Sequence, residues 1–243
     1  MMKTLLRTAA PALLATLVAA CGEAGSSTAA AEPADIAVDT ETNWVRQIEK
    51  TEEGGYRIGN PDADVKLVEF ASLSCSHCAN FHAAAMTDLK GKYVASGNVS
   101  YELRPFVANQ PDFVATMLAR CTTPQAFYAL SDAFFERQSQ WLGGFSQLGE
   151  AELAELQGME PEAAMARYGQ LGGLDEFVRA RGIPASKYNA CVTDTAEREQ
   201  LEAIRTSAIE DYELGGTPTF VLNGEKIEGT TWNTIEPQIQ AAL

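Results

Sequence analysis

A Cys-Ser-His-Cys motif at residues 75–78 constrains the fold of this chain more than any other feature. The mostly apolar, β-branched run at residues 65–71 precedes it and predicts a central strand that is buried on both faces. Residues from about 75 to 93 predict a helix. The motif is therefore expected at the junction between a buried strand and the N-terminus of a helix.

That position predicts redox chemistry. Unpaired backbone N–H groups and the helix dipole stabilise an anion at a helix N-terminus, so the pKa of Cys75 should fall. Cys78 lies one turn later and can close a small disulfide ring with Cys75, while His77 would stabilise the thiolate further if it is protonated or hydrogen-bonded. A fall in pKa from about 8.5 to about 4 would favour the reduced form by roughly 4 kcal/mol at pH 7, or about 90 mV. The disulfide would then be a good oxidant of other proteins.

The remaining elements predict strands at both ends of the folded part and helices between them. Asn223-Gly224 between two short apolar runs is a strong β-hairpin signal. Residues from about 111 to 213 predict helices throughout. The further predicted elements are strands at residues 99–106, 219–222 and 225–227 and a closing helix at about 232–242.

Composition excludes several classes of protein. Hydrophobic residues make up 46% of the 243 residues and charged residues 21%, which excludes global disorder. Eighteen Lys and Arg against 33 Asp and Glu give a net charge of −15. An acidic surface argues against nucleic acid as a partner, because its phosphates are neutralised by Lys and Arg. It equally disfavours electrostatic adsorption to anionic lipid.

The first twenty residues predict an export signal. Lys3 and Arg7 precede an apolar run at residues 9–20, which is too short to span a bilayer. The run ends Leu-Val-Ala-Ala-Cys and resembles a bacterial lipoprotein signal, which implies cleavage before Cys21 and lipidation of its thiol. The alternative is ordinary cleavage after Ala31, which would discard Cys21. Either route leaves four cysteines.

Residues 21–42 are interpreted as the lipidated cysteine and a flexible acidic tether, because the side chains of this segment are small and polar and show no amphipathic period. The expected location is the periplasm, with a lipid anchor. By analogy with lipoprotein sorting, Gly22 after Cys21 indicates the outer membrane rather than the inner one.

The redox motif, the helical insertion and the later Gly-Gly-Thr-Pro-Thr segment at residues 215–219 together resemble the DsbA-like thiol–disulfide oxidoreductases of the thioredoxin superfamily. The resemblance extends over residues 44–243. It implies an α/β, thioredoxin-like fold with a helical insertion domain. The thioredoxin-like domain would comprise residues 43–110 and 214–243, and the helical insertion residues 111–213.

The resemblance also implies roles for three residues outside the motif. Pro218 matches a proline that is cis and packs beside the redox disulfide, and Thr217 would then offer backbone groups to an extended substrate peptide. Glu69 matches a buried acid that can relay a proton to or from Cys78. The alternative places Glu69 at a sheet edge, facing water. The best-known members have proline at the position of Ser76 and often valine at that of Thr217, which leaves the direction of the reaction open.

Cys121 and Cys191 lie 70 residues apart in the helical region. In an oxidising, exported compartment they are expected to form a structural disulfide worth roughly 4 kcal/mol. The alternative is a pair of free buried thiols.

The function expected is that of an oxidase which donates the Cys75–Cys78 disulfide to exported proteins with reduced cysteines, through a mixed disulfide on Cys75. The resemblance implies reoxidation by a membrane quinone-linked thiol oxidase of the DsbB type. The chain is expected to be a monomer without cofactor or metal. One alternative is a reductase or isomerase that uses the same residues. Another is a metal-binding lipoprotein with Cys75, Cys78 and His82 as ligands, although structural zinc normally takes four.

Overall fold

The structure is a computed structural model that describes residues 41–243. The expected signal peptide at residues 1–20, the lipidation of Cys21 and nearly all of the tether at residues 21–42 lie outside the described residues. Within residues 41–243, none of the helices has the length and apolar character needed to cross a membrane.

The strands form one mixed sheet in the order β1-β2-β4-β3-β5-β6. They are β1 Ile48–Lys50, β2 Tyr56–Gly59, β3 Val65–Ala71, β4 Val99–Pro105, β5 Thr219–Leu222 and β6 Glu225–Ile227. β3 pairs parallel with β4 and antiparallel with β5, which places Glu69 opposite Leu103 on one side and Phe220 on the other. The predicted central strand is therefore confirmed, and Glu69 lies in its interior.

Helices connect and cover this sheet. They are α1 Ser76–Asp88, α2 Gln110–Arg120, α3 Pro124–Glu136, α4 Gln138–Ser146, α5 Glu150–Glu155, α6 Pro161–Leu171, α7 Leu174–Arg179, α8 Ala185–Val192, α9 Thr195–Tyr212 and α10 Trp232–Ala242. α1 continues into a π-helical turn at Leu89–Val94 and crosses from β3 to the parallel strand β4. The helices α2 to α9 all lie between β4 and β5 in the chain, which matches the predicted helical stretch.

Polar caps define where several of these helices begin. The Asn109 side chain accepts a hydrogen bond from the Asp112 N–H at the start of α2, and Thr123 caps α3 in the same way. Each cap satisfies one of the backbone N–H groups that a helix N-terminus leaves unpaired. Proline within the first turn of both helices supports the same boundary, because its missing N–H costs nothing there.

Alternation along β3 decides which residues lie beneath the redox motif. Leu67 and Ala71 point to the face covered by α1 and pack in the main core with Cys78. Phe70 points to the opposite face and packs against α9 in a second cluster. Glu69 shares the face of Leu67 and Ala71 and is fully buried. The pleat of the strand therefore directs this carboxyl group toward α1.

Long-range links join the helices to one another and to the sheet. Cys121, which follows α2, forms a disulfide with Cys191 in α8. The Arg120 side chain is almost fully buried and donates hydrogen bonds to Glu197, to Gln200 and to the carbonyl of Gly54 next to β2. A buried guanidinium needs such partners, because an unpaired charge in the interior is strongly destabilising.

Candidate active site

Cys75 lies at the point where the chain turns from β3 into α1. It has an extended backbone conformation and is the N-cap residue of α1, whose first residue is Ser76. Its carbonyl accepts the hydrogen bond of Ala79 N–H, so the helix begins immediately after the sulfur-bearing residue. Cys75 is partly exposed and Cys78 is buried, and both are free thiols in this structure.

The two thiols differ sharply in acidity. A hydrogen bond from the Cys78 thiol makes the largest contribution to lowering the pKa of Cys75 to about 5 from an ordinary value of 9.0. Burial opposes this change, whereas Thr217 and the backbone N–H groups at Cys78 and His77 support it. Burial raises the pKa of Cys78 far above the ordinary range, and the charge of Glu69 adds to that effect. Cys75 is therefore a thiolate at neutral pH and Cys78 a thiol.

His77 lies next to the reactive thiolate and acts on it through its backbone. Its side chain is exposed. Its contribution to the thiolate comes from its backbone N–H, which follows from its place in the first turn of α1. Any residue with an N–H at this position would supply the same hydrogen bond.

The segment before β5 comes close to the reactive sulfur. The Thr217–Pro218 peptide bond is cis, and Pro218 is buried. The Cys75 thiol can donate to the Thr217 carbonyl, with Sγ and O 3.2 Å apart. The Thr217 side chain also lowers the pKa of Cys75, since its hydroxyl can donate to the thiolate. Thr217 therefore has a polar group for each protonation state of Cys75.

Glu69 lies in a buried polar cluster. Its Oε2 accepts hydrogen bonds from the Tyr101 hydroxyl at 2.5 Å and from His82 Nε2 at 3.1 Å. Its Oε1 is buried and has no hydrogen-bond partner among the described residues. The alternative in which Glu69 faces water at a sheet edge is wrong, because β3 is central and the side chain is 0% exposed.

His82 belongs to the same cluster rather than to the cysteines. Its Nε2 faces Glu69, its Nδ1 faces Asp132, and its ring lies 4.0 Å from the Phe135 ring centre to centre. Among residues 41–243, no group of three or more His, Cys, Asp or Glu residues is arranged to hold a metal ion. The geometry therefore gives no support to the alternative with Cys75, Cys78 and His82 as metal ligands.

Sequence reasoning missed two residues that hold the turn before α1. Gln138 Nε2 donates to the carbonyl oxygens of Leu73 and Cys75 at 2.8 and 2.9 Å. The buried Asp112 accepts from the N–H groups of Leu73 and Ala108, and burial raises its pKa to about 6 despite these bonds. Gln138 lies more than 60 residues further along the chain, and no local pattern connects it to the motif.

Comparisons with known proteins cover nearly all of the described residues. The family model described as thioredoxin matches residues 50–241. A putative protein-disulfide oxidoreductase of Rickettsia bellii is 28% identical over 195 residues, which are 80% of this chain and 66% of that protein. A second one, from Rickettsia prowazekii, is 27% identical over 80% of this chain and 63% of that protein. The chain thus spans slightly less than two thirds of the length of these curated relatives.

Solved structures show the same fold. A protein-disulfide isomerase from Novosphingobium aromaticivorans has a TM-score of 0.71 and 31% identity, over 76% of this chain and 95% of that chain. Alpha-DsbA1 of Wolbachia pipientis has a TM-score of 0.62 and 20% identity, over 77% of this chain and 90% of that chain. The thioredoxin-like fold with many inserted helices is therefore confirmed.

Proposed function

We propose a function for this chain, which belongs to the thioredoxin family and is a DsbA-like member of that superfamily. It is a thiol–disulfide oxidoreductase that donates a Cys75–Cys78 disulfide to substrate proteins. The observation that carries this proposal is the contrast between the two thiols. Cys75 is partly exposed and has a pKa of about 5, whereas Cys78 is buried and its pKa is raised. Only Cys75 can meet a substrate.

The reaction follows from that contrast. A substrate thiolate attacks Cys75 Sγ of the oxidised pair, the bond between Cys75 and Cys78 breaks, and Cys78 leaves as a thiolate. Cys78 then takes up a proton, for which the buried Glu69 is the expected donor. A second substrate thiolate attacks the substrate sulfur of the mixed disulfide and releases Cys75 as a thiolate. The substrate gains a disulfide, and the chain ends with one thiolate and one thiol.

The low pKa of Cys75 supports the oxidising direction. At pH 7 a shift from 9.0 to about 5 favours the reduced form by about 2.7 kcal/mol before solvent screening. Because Cys75 is partly exposed, about half of this is a reasonable allowance, or ~1.4 kcal/mol and ~30 mV. This shift is smaller than the sequence argument expected, although it has the same sign.

An isomerase is the second candidate. One observation favours it: the similar chain from Novosphingobium aromaticivorans, at 31% identity, is a protein-disulfide isomerase. The same residues serve both reactions, so the reduction potential decides between them.

The proposed setting is the periplasm, where a lipid on Cys21 would anchor the protein to the outer membrane as a monomer. The N-terminal sequence supports this proposal, as does the Cys121–Cys191 disulfide, since structural disulfides persist in oxidising compartments. The proposed partners are exported proteins with reduced cysteines and a DsbB-type membrane oxidase.

A trapping experiment tests the proposed function. Cys78→Ser removes the thiol that expels a bound substrate from Cys75. When the Cys75 thiolate of this variant attacks a disulfide already present in an exported protein, one thiolate of that protein leaves and the mixed disulfide should persist until it is reduced. Cys75→Ser is the matched control and should trap nothing. Absence of adducts on Cys78→Ser in cells that express it would count against any transfer through Cys75.

The reduction potential against glutathione then gives the direction. A value above about −150 mV indicates an oxidase, whereas one near −180 mV is typical of isomerases. A value near −270 mV, like that of thioredoxin, would instead indicate a reductase.

A further inference from the structure

A histidine lies between two carboxylates beneath the redox motif. His82 in α1 is 5% exposed, and its Nε2 lies 3.1 Å from Glu69 Oε2. Its Nδ1 is buried without a hydrogen-bond partner among the described residues, and it faces Asp132 Oδ1 in α3 at 3.8 Å. Both ring nitrogens are thus directed at carboxylate oxygens, one deep in the core and one toward the surface.

Asp132 is the outer end of this line. Its side chain is 34% exposed, whereas that of Glu69 is 0% exposed. Lys90, just after α1, donates to Asp132 Oδ2 at 2.9 Å. That bond occupies one oxygen and leaves the other directed at His82. The gap of 3.8 Å is slightly longer than a hydrogen bond, and a small rotation of the Asp132 carboxyl group would close it.

The chemistry of Cys78 requires a route for a proton. Cys78 is 0% exposed, yet it must gain a proton when a substrate opens the disulfide and lose it when the disulfide forms again. The charge of Glu69 acts on Cys78, and its buried Oε1 has no hydrogen-bond partner within residues 41–243, so this oxygen is available to exchange that proton. Glu69 is itself buried away from water, so it must gain or lose this proton through a neighbouring group.

We propose that His82 and Asp132 form the path by which this proton passes between Glu69 and solvent. When Cys78 loses its proton to Glu69, Glu69 passes a proton to His82 Nε2, and His82 releases the one on Nδ1 to Asp132. Asp132 then exchanges it with water. The reverse order delivers a proton to Cys78, and no other reactant is consumed. His82 and Asp132 are positioning residues that act on Cys78 through Glu69.

The surroundings of His82 agree with this role. Burial opposes a charge on the ring, but Glu69 and Asp132 together outweigh it and raise its pKa. A raised pKa favours the doubly protonated ring, which is the state between uptake of a proton at Nε2 and release of the other from Nδ1. The titratable and charged groups that face it are Glu69 from β3, Tyr101 from β4, Asp132 from α3 and, behind Asp132, Lys90. Cys78 lies one turn before it in α1.

Tyr101 does not offer a second route. It donates its hydroxyl proton to Glu69 Oε2, and burial raises its pKa well above the ordinary value, so it stays protonated. Its hydroxyl also lies 3.3 Å from His82 Nε2. It orients the carboxyl group and leaves the exchange of protons to the histidine.

The test measures one step that needs the Cys78 proton to leave. Cys75 of the reduced full-length chain is first coupled to glutathione, and the rate at which Cys78 expels the glutathione is followed against pH. Asp132→Asn keeps the contact between His82 and Glu69 and removes only the outer acceptor. Expulsion should slow at least tenfold at pH 7. It should also rise about tenfold per pH unit, because hydroxide must then remove the proton.

Matched variants separate this role from a structural one. Glu136→Gln changes an exposed acid one turn further along α3 and should leave the rate and its pH profile unchanged. Asp132→Glu should restore most of the rate, and His82→Gln should behave like Asp132→Asn. The pKa of Cys75 should stay near about 5 in Asp132→Asn, which a general disturbance of the site would not allow.

An expulsion rate in folded Asp132→Asn within twofold of wild type across the pH range would overturn the relay, and so would an equal loss in Glu136→Gln. If His82→Gln fails to fold, Asp132→Asn alone decides. The inference rests on the proposed function, but the glutathione step needs no protein substrate. A wild-type chain that expels glutathione and oxidises no protein would contradict the proposed function alone.

Discussion

Replacing Cys78 by alanine should give Cys75 a higher pKa than replacing Cys78 by serine. The largest contribution to the low pKa of Cys75 is the hydrogen bond from the Cys78 side chain. Serine keeps a hydroxyl donor at that position and alanine removes it. Both variants lack the redox disulfide and keep the Cys121–Cys191 disulfide, so each has one titrating thiol among the described residues.

The size of the effect follows from hydrogen bonding to a charge. Such a bond contributes about 1.5–3 kcal/mol, which corresponds to roughly one to two pKa units. A donor favours the thiolate, so its loss raises the pKa. Cys75 should therefore titrate near its wild-type value of about 5 in Cys78→Ser. In Cys78→Ala its pKa should lie roughly one to two units higher.

Stability should show the same difference with a defined pH dependence. A lowered pKa stabilises the folded protein fully above the unfolded pKa of about 9, and this contribution is lost as pH falls through the folded pKa of about 5. Cys78→Ala should thus lose more stability than Cys78→Ser on the alkaline side. The part of this stability difference that depends on pH should vanish below about pH 4, where Cys75 is protonated in the folded and the unfolded state of each variant.

The assay is the ultraviolet absorbance of the Cys75 thiolate against pH, with the rate of alkylation by iodoacetamide as an independent readout. Urea unfolding at alkaline and acidic pH measures the linked stability. Equal pKa values in the two variants would refute the assignment of the low pKa to the Cys78 donor. The helix N-terminus and Thr217 would then have to account for the shift.

Two further predictions concern Thr217 and the structural disulfide. Thr217→Val keeps the shape of the side chain and removes its hydroxyl donor. The pKa of Cys75 should therefore rise by about one unit, and the disulfide should become less oxidising. Titration of Cys75 and the redox equilibrium with glutathione check these two results, and an unchanged pKa would contradict the role of the hydroxyl. The double variant Cys121→Ala, Cys191→Ala opens a loop of 70 residues and should lower the free energy of unfolding by about 4 kcal/mol. A urea midpoint equal to that of the wild type would show that other contacts hold α2 to α8.

The local part of the fold was predictable because neighbouring residues decide it. The hairpin at Asn223-Gly224 is an example: both residues have positive φ, at 50° and 88°, which asparagine and glycine tolerate best. The apolar, β-branched run of β3 and the alanine-rich segment of α1 are likewise local features of the sequence. These are short-range preferences, and one sequence is enough to read them.

Charge placement in the core was predictable only in part. The sequence identified Glu69 through the family resemblance, but it left open whether this side chain is buried or faces water at a sheet edge. Pairing of β3 with both β4 and β5 decided between them, together with the packing of the face that carries Leu67 and Ala71 into the main core, because the Glu69 side chain shares that face and is fully buried. His77 illustrates the reverse case, because the direction of its exposed side chain depends on how α1 lies over the sheet.

By itself, the sequence determined the chemistry of this protein: two thiols one helical turn apart, at a helix start that favours the thiolate of the first. Tertiary structure alone decided what surrounds them. Asp132, Gln138 and Thr217 lie between 50 and 150 residues from the cysteines along the chain, and packing of α3, α4 and the segment before β5 against α1 brings them together. The physical reason is range: helix caps and turns depend on neighbours in sequence, whereas pKa values and proton paths depend on neighbours in space.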